Sequence, residues 1–507
     1  MSRTKNSLRN IAYALAGQLL GLISNFATRT IFIIYLNAEY LGIDGLFTNI
    51  LSVLSLAELG IGAAIIYALY KPLANNDTQK VKALMNLFRK AYIIIGVTVL
   101  LLGMSITPFL DYMIKDQPDI EFLSLLYIIF VINSASTYFF SYKRSLLIAD
   151  QKQYITTIFH YSSMVLLNIT QIIILIFTQS YLLFLIVKLI FNLLSNIGIS
   201  ITTDRLYPYI KGKNNEQLDK ETKKNITMNI KALLMHRIGG VLVISTDNIL
   251  ISSFVGIVSV GIYSNYLLII STLNTIIGQV FNAITSSVGN LGAEENKSVL
   301  KDRYLSINFA GAWIFGFSSI CLFILLDPFI TYWLNKGYLF PTSVILIIII
   351  NFYIGGMRNS SLTFRNALGL FWYDRYKAII EAIINLVFSI ILVKYFGIIG
   401  IFIGTTISTI LTSLWIEPYI LFKYGFKYSL KSYFLRYFIY TFITIVAGLI
   451  TFYLCSLVSV VGVLEIIIKG LICLIIVNSI FLLTYHRTNE FKYFYNIILR
   501  TLKRRSY

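Results

Sequence analysis

The hydrophobic pattern of this chain is a succession of long apolar runs separated by short polar loops. Each run holds about 20 residues, the length a helix needs to cross the hydrocarbon core of a bilayer. The period-two alternation of a membrane β-barrel is absent, so we predict an all-α integral membrane protein. The pattern predicts about fourteen spans, at 11–36, 45–70, 89–110, 121–142, 154–177, 181–203, 231–255, 258–287, 307–327, 342–368, 377–396, 398–421, 433–455 and 460–484.

Composition agrees with this pattern. The 507 residues are 57% hydrophobic and 13% charged, whereas a soluble domain has about 25% charged residues. A net charge of +19 is typical of nucleic-acid-binding proteins, but here the lysines and arginines lie in every second short loop. That alternation reports membrane orientation and predicts that both termini are cytoplasmic. We therefore expect membrane lipids, and no nucleic acid, as partners.

The chain also predicts two related halves. Residues 35–43 match residues 254–262 at an offset of 219, and six spans separate the two copies. An even number of spans makes the halves parallel repeats, a pattern typical of transporters. The polar, Lys-rich stretch 204–230 lies between them. The predicted organisation is an N-lobe at 1–203, a cytoplasmic linker at 204–230, a C-lobe at 231–425, two further helices at 426–486 and a basic amphipathic tail at 487–507.

Arg29 is the most informative residue, because it interrupts the first apolar run with a charge. An arginine at the centre of a span costs at least about 2.5–3.5 kcal/mol, which favours a functional position facing water. The repeat aligns Asp247 with Thr28, at a similar depth. Two interpretations are open. Arg29 binds an anionic substrate group with Asp247 as its counter-ion, or the two form a fixed ion pair.

Further charged residues interrupt other spans. Arg237 and Arg358 are candidate substrate-binding residues, since several guanidinium groups around one cavity suit a phosphate-bearing substrate. Arg237 is also close enough to the predicted cytoplasmic end of its span to reach the interface. The remaining candidates, for ion coupling or gating, are Glu58, Glu381, Arg365 and Lys188.

No residue pattern predicts catalysis, a metal site or a cofactor. Cys321, Cys455 and Cys473 lack metal-ligand spacing, and we interpret them as packing residues. The three histidines are scattered. The predicted outer loops are short, which disfavours a membrane enzyme such as a polysaccharide polymerase. The only energy source that the sequence suggests is coupling to an H⁺ or Na⁺ gradient through an intramembrane carboxylate.

Several segments resemble the bacterial Wzx-type polysaccharide flippases. The resemblance extends over nearly the whole chain, and the similar segments taken together are more specific than any single one. The similar segments are ELGIGAAIIY at 58–67, YKPL at 70–73, TDNILIS at 246–252, GIYSNY at 261–266, RNALG at 365–369 and YDRY at 373–376.

This resemblance implies the multidrug/oligosaccharidyl-lipid/polysaccharide (MOP) exporter superfamily, whose members have two six-helix lobes, often with two extra helices, and work by alternating access. It implies an undecaprenyl-diphosphate-linked oligosaccharide as substrate, moved from the inner to the outer leaflet of the bacterial cytoplasmic membrane, with polysaccharide polymerase machinery as a possible partner. Alternatives in the same superfamily are a lipid II-type flippase and a cation-coupled drug antiporter. The excess of basic over acidic residues in the spans disfavours the antiporter.

Overall fold

The structure is a computed structural model that describes residues 3–58, 61–115, 120–211, 218, 245–294, 297–370 and 373–496. Within these ranges the chain is helical and contains no strand. Twelve of the described helical segments are long and apolar enough to cross a membrane. The predicted all-α membrane fold is therefore confirmed.

The helices of the first half follow the predicted runs closely, except for the second. That run is divided into two helices by a 3₁₀ turn, Ser55–Glu58. The helices are α1 (Arg3–Tyr35), α2 (Ala38–Leu54), α3 (Ile61–Ala74), α4 (Thr78–Ile106), the short α5 (Leu110–Met113), α6 (Leu123–Ala149), α7 (Gln153–Thr178) and α8 (Tyr181–Leu206).

The second half begins, in the described residues, with a helical segment from 245 that ends in a π-helical turn, Ile251–Val255. Its helices are α9 (Ile257–Glu294), α10 (Lys297–Leu334), α11 (Thr342–Met357), α12 (Asn359–Ala367), α13 (Lys377–Phe396), α14 (Ile398–Leu411), α15 (Ser413–Ile420), α16 (Lys431–Ser456) and α17 (Val463–Tyr485).

Twelve of the predicted spans correspond to the twelve membrane-length segments. The other two are the run 45–70, which is the broken pair α2 and α3, and the run 231–255, most of which lies outside the described residues. Most of the predicted linker 204–230 and the end of the predicted tail also lie outside them. The linker boundaries and the amphipathic tail therefore stay predictions.

Two compact units divide the chain, unit 1 at Met1–Ser264 and unit 2 at Asn265–Tyr507. In unit 1, α4, α6 and α8 pack together around buried Leu84, Phe88 and Leu146. In unit 2, α16 and α17 pack against α10 and against each other. A buried aromatic cluster of unit 2 places Phe364 and Phe422 edge-on against Tyr304, at centroid distances of 5.3 and 5.6 Å.

The repeat is visible in the geometry of unit 1. Helix α2 begins at Ala38 and α9 begins at Ile257, residues separated by the offset of 219. A Cβ on Gly42 would lie 2.1 Å from the carbonyl oxygen of Ile257, and a Cβ on Gly261 would lie 2.0 Å from that of Ala38. The two glycines are thus equivalent repeat positions that let the two helix starts approach reciprocally, backbone to backbone.

Candidate functional site

Arg29 lies on α1 and reaches the first turns of α9. Its Nη2 atom donates to the main-chain oxygen of Ser264 at 3.2 Å and to the Ser264 Oγ at 3.0 Å. Both residues belong to unit 1, and Arg29 is half-buried. These acceptors are neutral, so they satisfy hydrogen-bond donors of the guanidinium without cancelling its charge.

Asp44, on α2, is a carboxylate whose negative charge acts on Arg29. Asp44 Oδ1 also accepts from Lys188 Nζ at 3.4 Å and from the Tyr181 hydroxyl at 3.3 Å. The Lys188 Nζ atom lies 4.9 Å from the centroid of the Phe130 ring. Asp44 thus pairs with Lys188 while its charge also acts on Arg29. The trio Arg29, Asp44 and Lys188, which we call the unit 1 cluster, has a formal charge of +1.

The side-chain hydrogen bonds of Arg29 in this conformation go to Ser264, and Asp247 is 8% exposed with its charge acting on Tyr263. The pairing of Arg29 with Asp247 stays a prediction. Arg237, another predicted substrate contact, lies outside the described residues. The structure therefore brings together Arg29 and Lys188 from the predicted set, and adds Asp44 and Ser264.

Glu58 ends the 3₁₀ turn that interrupts the second span, so its carboxylate lies at a break between two helices. The Tyr92 hydroxyl donates to Glu58 Oε1 at 3.0 Å. Tyr92 stacks on Tyr138, with ring centroids 6.4 Å apart, and both tyrosines are buried. In the part of the chain that is described, Glu58 has no ion-pair partner. Carboxylates at broken membrane helices are typical of ion-coupled transporters.

Unit 2 contains a different arrangement, in which Arg358 is bound by an acid on two of its nitrogens. Arg358 Nη2 donates to Glu417 Oε1 at 2.8 Å, and its Nε donates to Glu417 Oε2 at 3.2 Å. Lys377 Nζ also donates to Glu417. Glu417 is fully buried and Lys377 is 7% exposed.

Glu381 completes this group, because its Oε1 lies 3.5 Å from Arg358 Nη1. It accepts further hydrogen bonds from the hydroxyls of Ser413, at 2.6 Å, and Thr409, at 3.3 Å. The formal charges of the two cations and the two carboxylates sum to zero. We call Arg358, Lys377, Glu381 and Glu417 the unit 2 network. Within this network, Glu417 is both the ion-pair partner of Arg358 and its bidentate hydrogen-bond acceptor.

Arg365, predicted as a gating candidate, also has its charge partner within unit 2. It forms a buried ion pair with Asp374 and donates from Nη2 to Asn366 Oδ1 at 3.1 Å. Asp374 is 3% exposed. This pair fixes the end of α12 against the chain segment that leads into α13.

Three charged residues of the unit 1 cluster and the unit 2 network are not among the predicted site residues: Asp44, Lys377 and Glu417. Asp44 lies in the short predicted loop before the run 45–70, and Lys377 is the first residue of the predicted span 377–396. In the structure each lies within two turns of a helix start. Glu417 interrupts the apolar run 398–421 just before Pro418, so its charge was a usable signal. No group of three or more His, Cys, Asp or Glu side chains suited to a metal ion occurs in the described ranges.

No protein-family model matches the sequence, and no curated protein matches it. Solved structures do match. The lipid II flippase MurJ, in an inward closed conformation, is similar with a TM-score of 0.67 at 16% sequence identity, over 94% of this chain and 98% of that one. A multidrug resistance MATE family transporter of the MOP superfamily, in an inward-facing conformation, is similar with a TM-score of 0.63 at 18% identity, over 81% of this chain and 98% of that one.

The chain has the fold of the MOP superfamily transporters. A third MOP superfamily transporter with this fold, from Pyrococcus furiosus, is described as having a binding pocket of reverse polarity that suggests a different function. Its TM-score is 0.53 at 17% identity, over 81% of this chain and 93% of that one.

Proposed function

We propose that this protein is a flippase that moves an undecaprenyl-diphosphate-linked oligosaccharide from the inner to the outer leaflet of the bacterial cytoplasmic membrane. The two repeats alternate access to the two faces, and both termini are cytoplasmic. The product serves surface polysaccharide synthesis, where a polymerase takes it up. Transport requires no covalent chemistry by the protein.

The observation that carries this proposal is the half-buried Arg29 guanidinium bonded to neutral Ser264 acceptors. A diphosphate oxygen is a stronger acceptor for a guanidinium than a serine hydroxyl or a peptide carbonyl. Substrate can therefore displace Ser264 from Arg29, which exchanges two neutral hydrogen bonds for charge-assisted ones. The excess positive charge of the unit 1 cluster favours the same exchange.

Arg237, Arg358 and Asp247 remain proposed contributors along the substrate path. Arg358 reaches substrate only if it releases Glu417, so its role belongs to a different conformation from this one. Glu58 is the proposed coupling residue, taking up H⁺ or Na⁺ at the break between α2 and α3. Glu381 and Arg365 are proposed to act in gating through the contacts that they make in unit 2.

Similarity to the lipid II flippase supports a lipid-linked substrate over a small soluble one. That structure covers 94% of this chain, compared with 81% for the MATE transporter, and it has the higher TM-score. Fold similarity at this identity does not identify the sugar. The choice of a diphosphate-linked substrate therefore depends on Arg29 and on the resemblance of the sequence to polysaccharide flippases.

The test is complementation of a deletion strain with Arg29→Ala. We expect surface polysaccharide to fall at least about tenfold while the lipid-linked precursor accumulates on the inner leaflet, because the diphosphate loses its cationic partner. Arg29→Lys should restore part of the export, since it keeps the charge but not the paired donors. Immunoblots of the membrane fraction establish that each variant is inserted.

The matched control is Lys152→Gln, another cation of unit 1. Lys152 pairs with Asp150 at 2.7 Å, outside the unit 1 cluster, and this variant should export normally. Normal polysaccharide export by Arg29→Ala at wild-type protein level would contradict the proposal.

A drug antiporter is the second candidate, and Glu58 is the observation that favours it. A carboxylate without a cation partner in the described part of the chain is suited to bind a cationic drug or its coupling proton. The deletion strain distinguishes the two functions. Increased sensitivity to cationic drugs with unchanged surface glycan supports the antiporter, whereas unchanged drug sensitivity with lost glycan supports the flippase.

A further inference from the structure

Asp44 of the unit 1 cluster is bonded to two donors of the same helix. Its Oδ1 atom accepts from the Tyr181 hydroxyl at 3.3 Å and from Lys188 Nζ at 3.4 Å. Tyr181 and Lys188 both lie on α8, two turns apart, so they share one face of that helix. The carboxylate of α2 is therefore bound to α8 by an ion pair and by a second hydrogen bond.

The Tyr181 ring is fixed in position by aromatic packing. It is 3% exposed and packs edge-on against Tyr40 of α2, at a centroid distance of 5.1 Å, and against Phe32 of α1, at 5.7 Å. Tyr40 lies one turn before Asp44, so the ring and the hydroxyl of Tyr181 contact the same face of α2. Contacts that involve no charge thus hold the Tyr181 hydroxyl against Asp44.

Asp44 also lies beside the helix that supplies the acceptors of Arg29. The next residue, Gly45, packs on α9, since a Cβ on Gly45 would lie 3.2 Å from the Cγ1 atom of Val260. Ser264, which accepts from the Arg29 guanidinium, is one turn beyond Val260 on α9. The Asp44 carboxylate and the Arg29 guanidinium therefore lie in the same part of unit 1, and their hydrogen bonds go to different partners.

We propose that Lys188 and Tyr181 are positioning residues that engage the Asp44 carboxylate, so that the Arg29 guanidinium stays available for the anionic group of the substrate. This inference rests on the proposed function, in which Arg29 binds a diphosphate. A guanidinium paired with a carboxylate has to separate from it before it binds a phosphate, whereas a guanidinium bonded to a serine does not. Lys188 then acts through Asp44, and it contacts neither the substrate nor a gate.

The proposal predicts the direction of each charge change in the unit 1 cluster. Lys188→Gln removes the ion-pair partner of Asp44 and lowers the formal charge of the cluster from +1 to 0. The carboxylate then turns to the remaining cation, Arg29, because the two charges attract in a site with little water. Asp44→Asn in the same protein removes the competing carboxylate and restores the charge of +1.

The test uses the full-length protein in the deletion strain, with surface polysaccharide and accumulated lipid-linked precursor as readouts. Lys188→Gln should lower export at least about threefold, the effect expected of side chains that are coupled through a shared partner. Lys188→Gln combined with Asp44→Asn should return export to within about twofold of the wild type. Lys188→Arg, which keeps the charge and can donate to Asp44, should restore most of the export. Immunoblots of the membrane fraction establish insertion.

Tyr181→Phe is a second and milder variant, which decides the question if Lys188→Gln is not inserted. It removes the hydroxyl that donates to Asp44 and keeps the ring packing, so export should fall less, and Asp44→Asn should again relieve the loss. The matched control is Lys152→Gln, which removes the lysine of another Lys–Asp pair of unit 1 and should export normally.

Normal export by an inserted Lys188→Gln protein would overturn the proposal. A loss that Asp44→Asn does not relieve would overturn it as well, because Lys188 would then contact the substrate or only stabilise the fold. Both results leave the proposed function intact as long as Arg29→Ala abolishes export. Normal export by Arg29→Ala would contradict the proposed function and this inference together.

Discussion

In unit 1 the Arg29 guanidinium is bonded to a serine, whereas in unit 2 the Arg358 guanidinium is bonded to a carboxylate through two nitrogens. The unit 1 cluster keeps a formal charge of +1, and its Lys188 and Asp44 side chains are 33% and 28% exposed. The unit 2 network is formally neutral, and its central Glu417 is fully buried.

This difference separates two uses of charge in a membrane protein. Both members of a buried ion pair are desolvated. Removal of one leaves an unpaired buried charge, which lowers the free energy of unfolding strongly. A cation whose hydrogen bonds go to neutral acceptors can exchange them for charge-assisted bonds to an incoming anion without separating an ion pair. We therefore infer that unit 2 uses its charges to fix helix packing in this conformation, whereas unit 1 keeps a charge available for a ligand.

Glu417→Gln should produce the largest effect. It leaves Arg358 and Lys377 without their shared carboxylate in a buried site, and we expect a loss of about 3–5 kcal/mol in the free energy of unfolding. The measurement is denaturant or thermal unfolding of the detergent-solubilised protein, with fluorescence as the readout.

The control for this variant is Asp302→Asn, which makes the same chemical change on a side chain that is 71% exposed in the same unit. Its loss should stay within about 0.5 kcal/mol, as for most surface substitutions. Equal losses in the two variants would mean that the unit 2 network does not act as a closed structural group.

Asp44→Asn is the corresponding carboxylate-to-amide change in unit 1, and its effect should be smaller. Lys188 can hydrate when its partner is neutralised, so we expect a loss of about 1 kcal/mol, as for a partly exposed ion pair. The same unfolding measurement applies. A loss as large as that of Glu417→Gln would show that the two groups are equivalent and would remove the basis of the comparison.

Much of the fold was predictable because it depends on apolar run length, loop charge and the internal repeat. The break in the second helix was not, because one serine and one glutamate within an apolar run do not by themselves end a helix, and hydropathy does not report backbone continuity. Gly42 and Gly261 are matched positions of the internal repeat, and they are the sites of the reciprocal backbone contact between α2 and α9.

The partners of the charged residues were less predictable than the charges themselves. Arg29 and Arg358 were identified because an arginine in an apolar run is anomalous in any packing arrangement. Their partners depend on helix rotation, which depth alone does not give, so the sequence did not indicate the hydrogen bonds from Arg29 to Ser264.

Ser264→Ala should have the smallest effect, and it distinguishes two roles of Arg29. The substitution removes the Oγ acceptor at 3.0 Å and leaves the main-chain oxygen at 3.2 Å. We expect a loss of about 0.5–1 kcal/mol in stability and no loss of polysaccharide export, because the guanidinium keeps one acceptor and its affinity for phosphate. Arg29→Ala should have a similar small effect on stability yet abolish export. If Ser264→Ala abolished export to the same degree, the hydrogen bonds to Ser264 would be the function of Arg29, and the unit 1 cluster would be a structural group like that of unit 2.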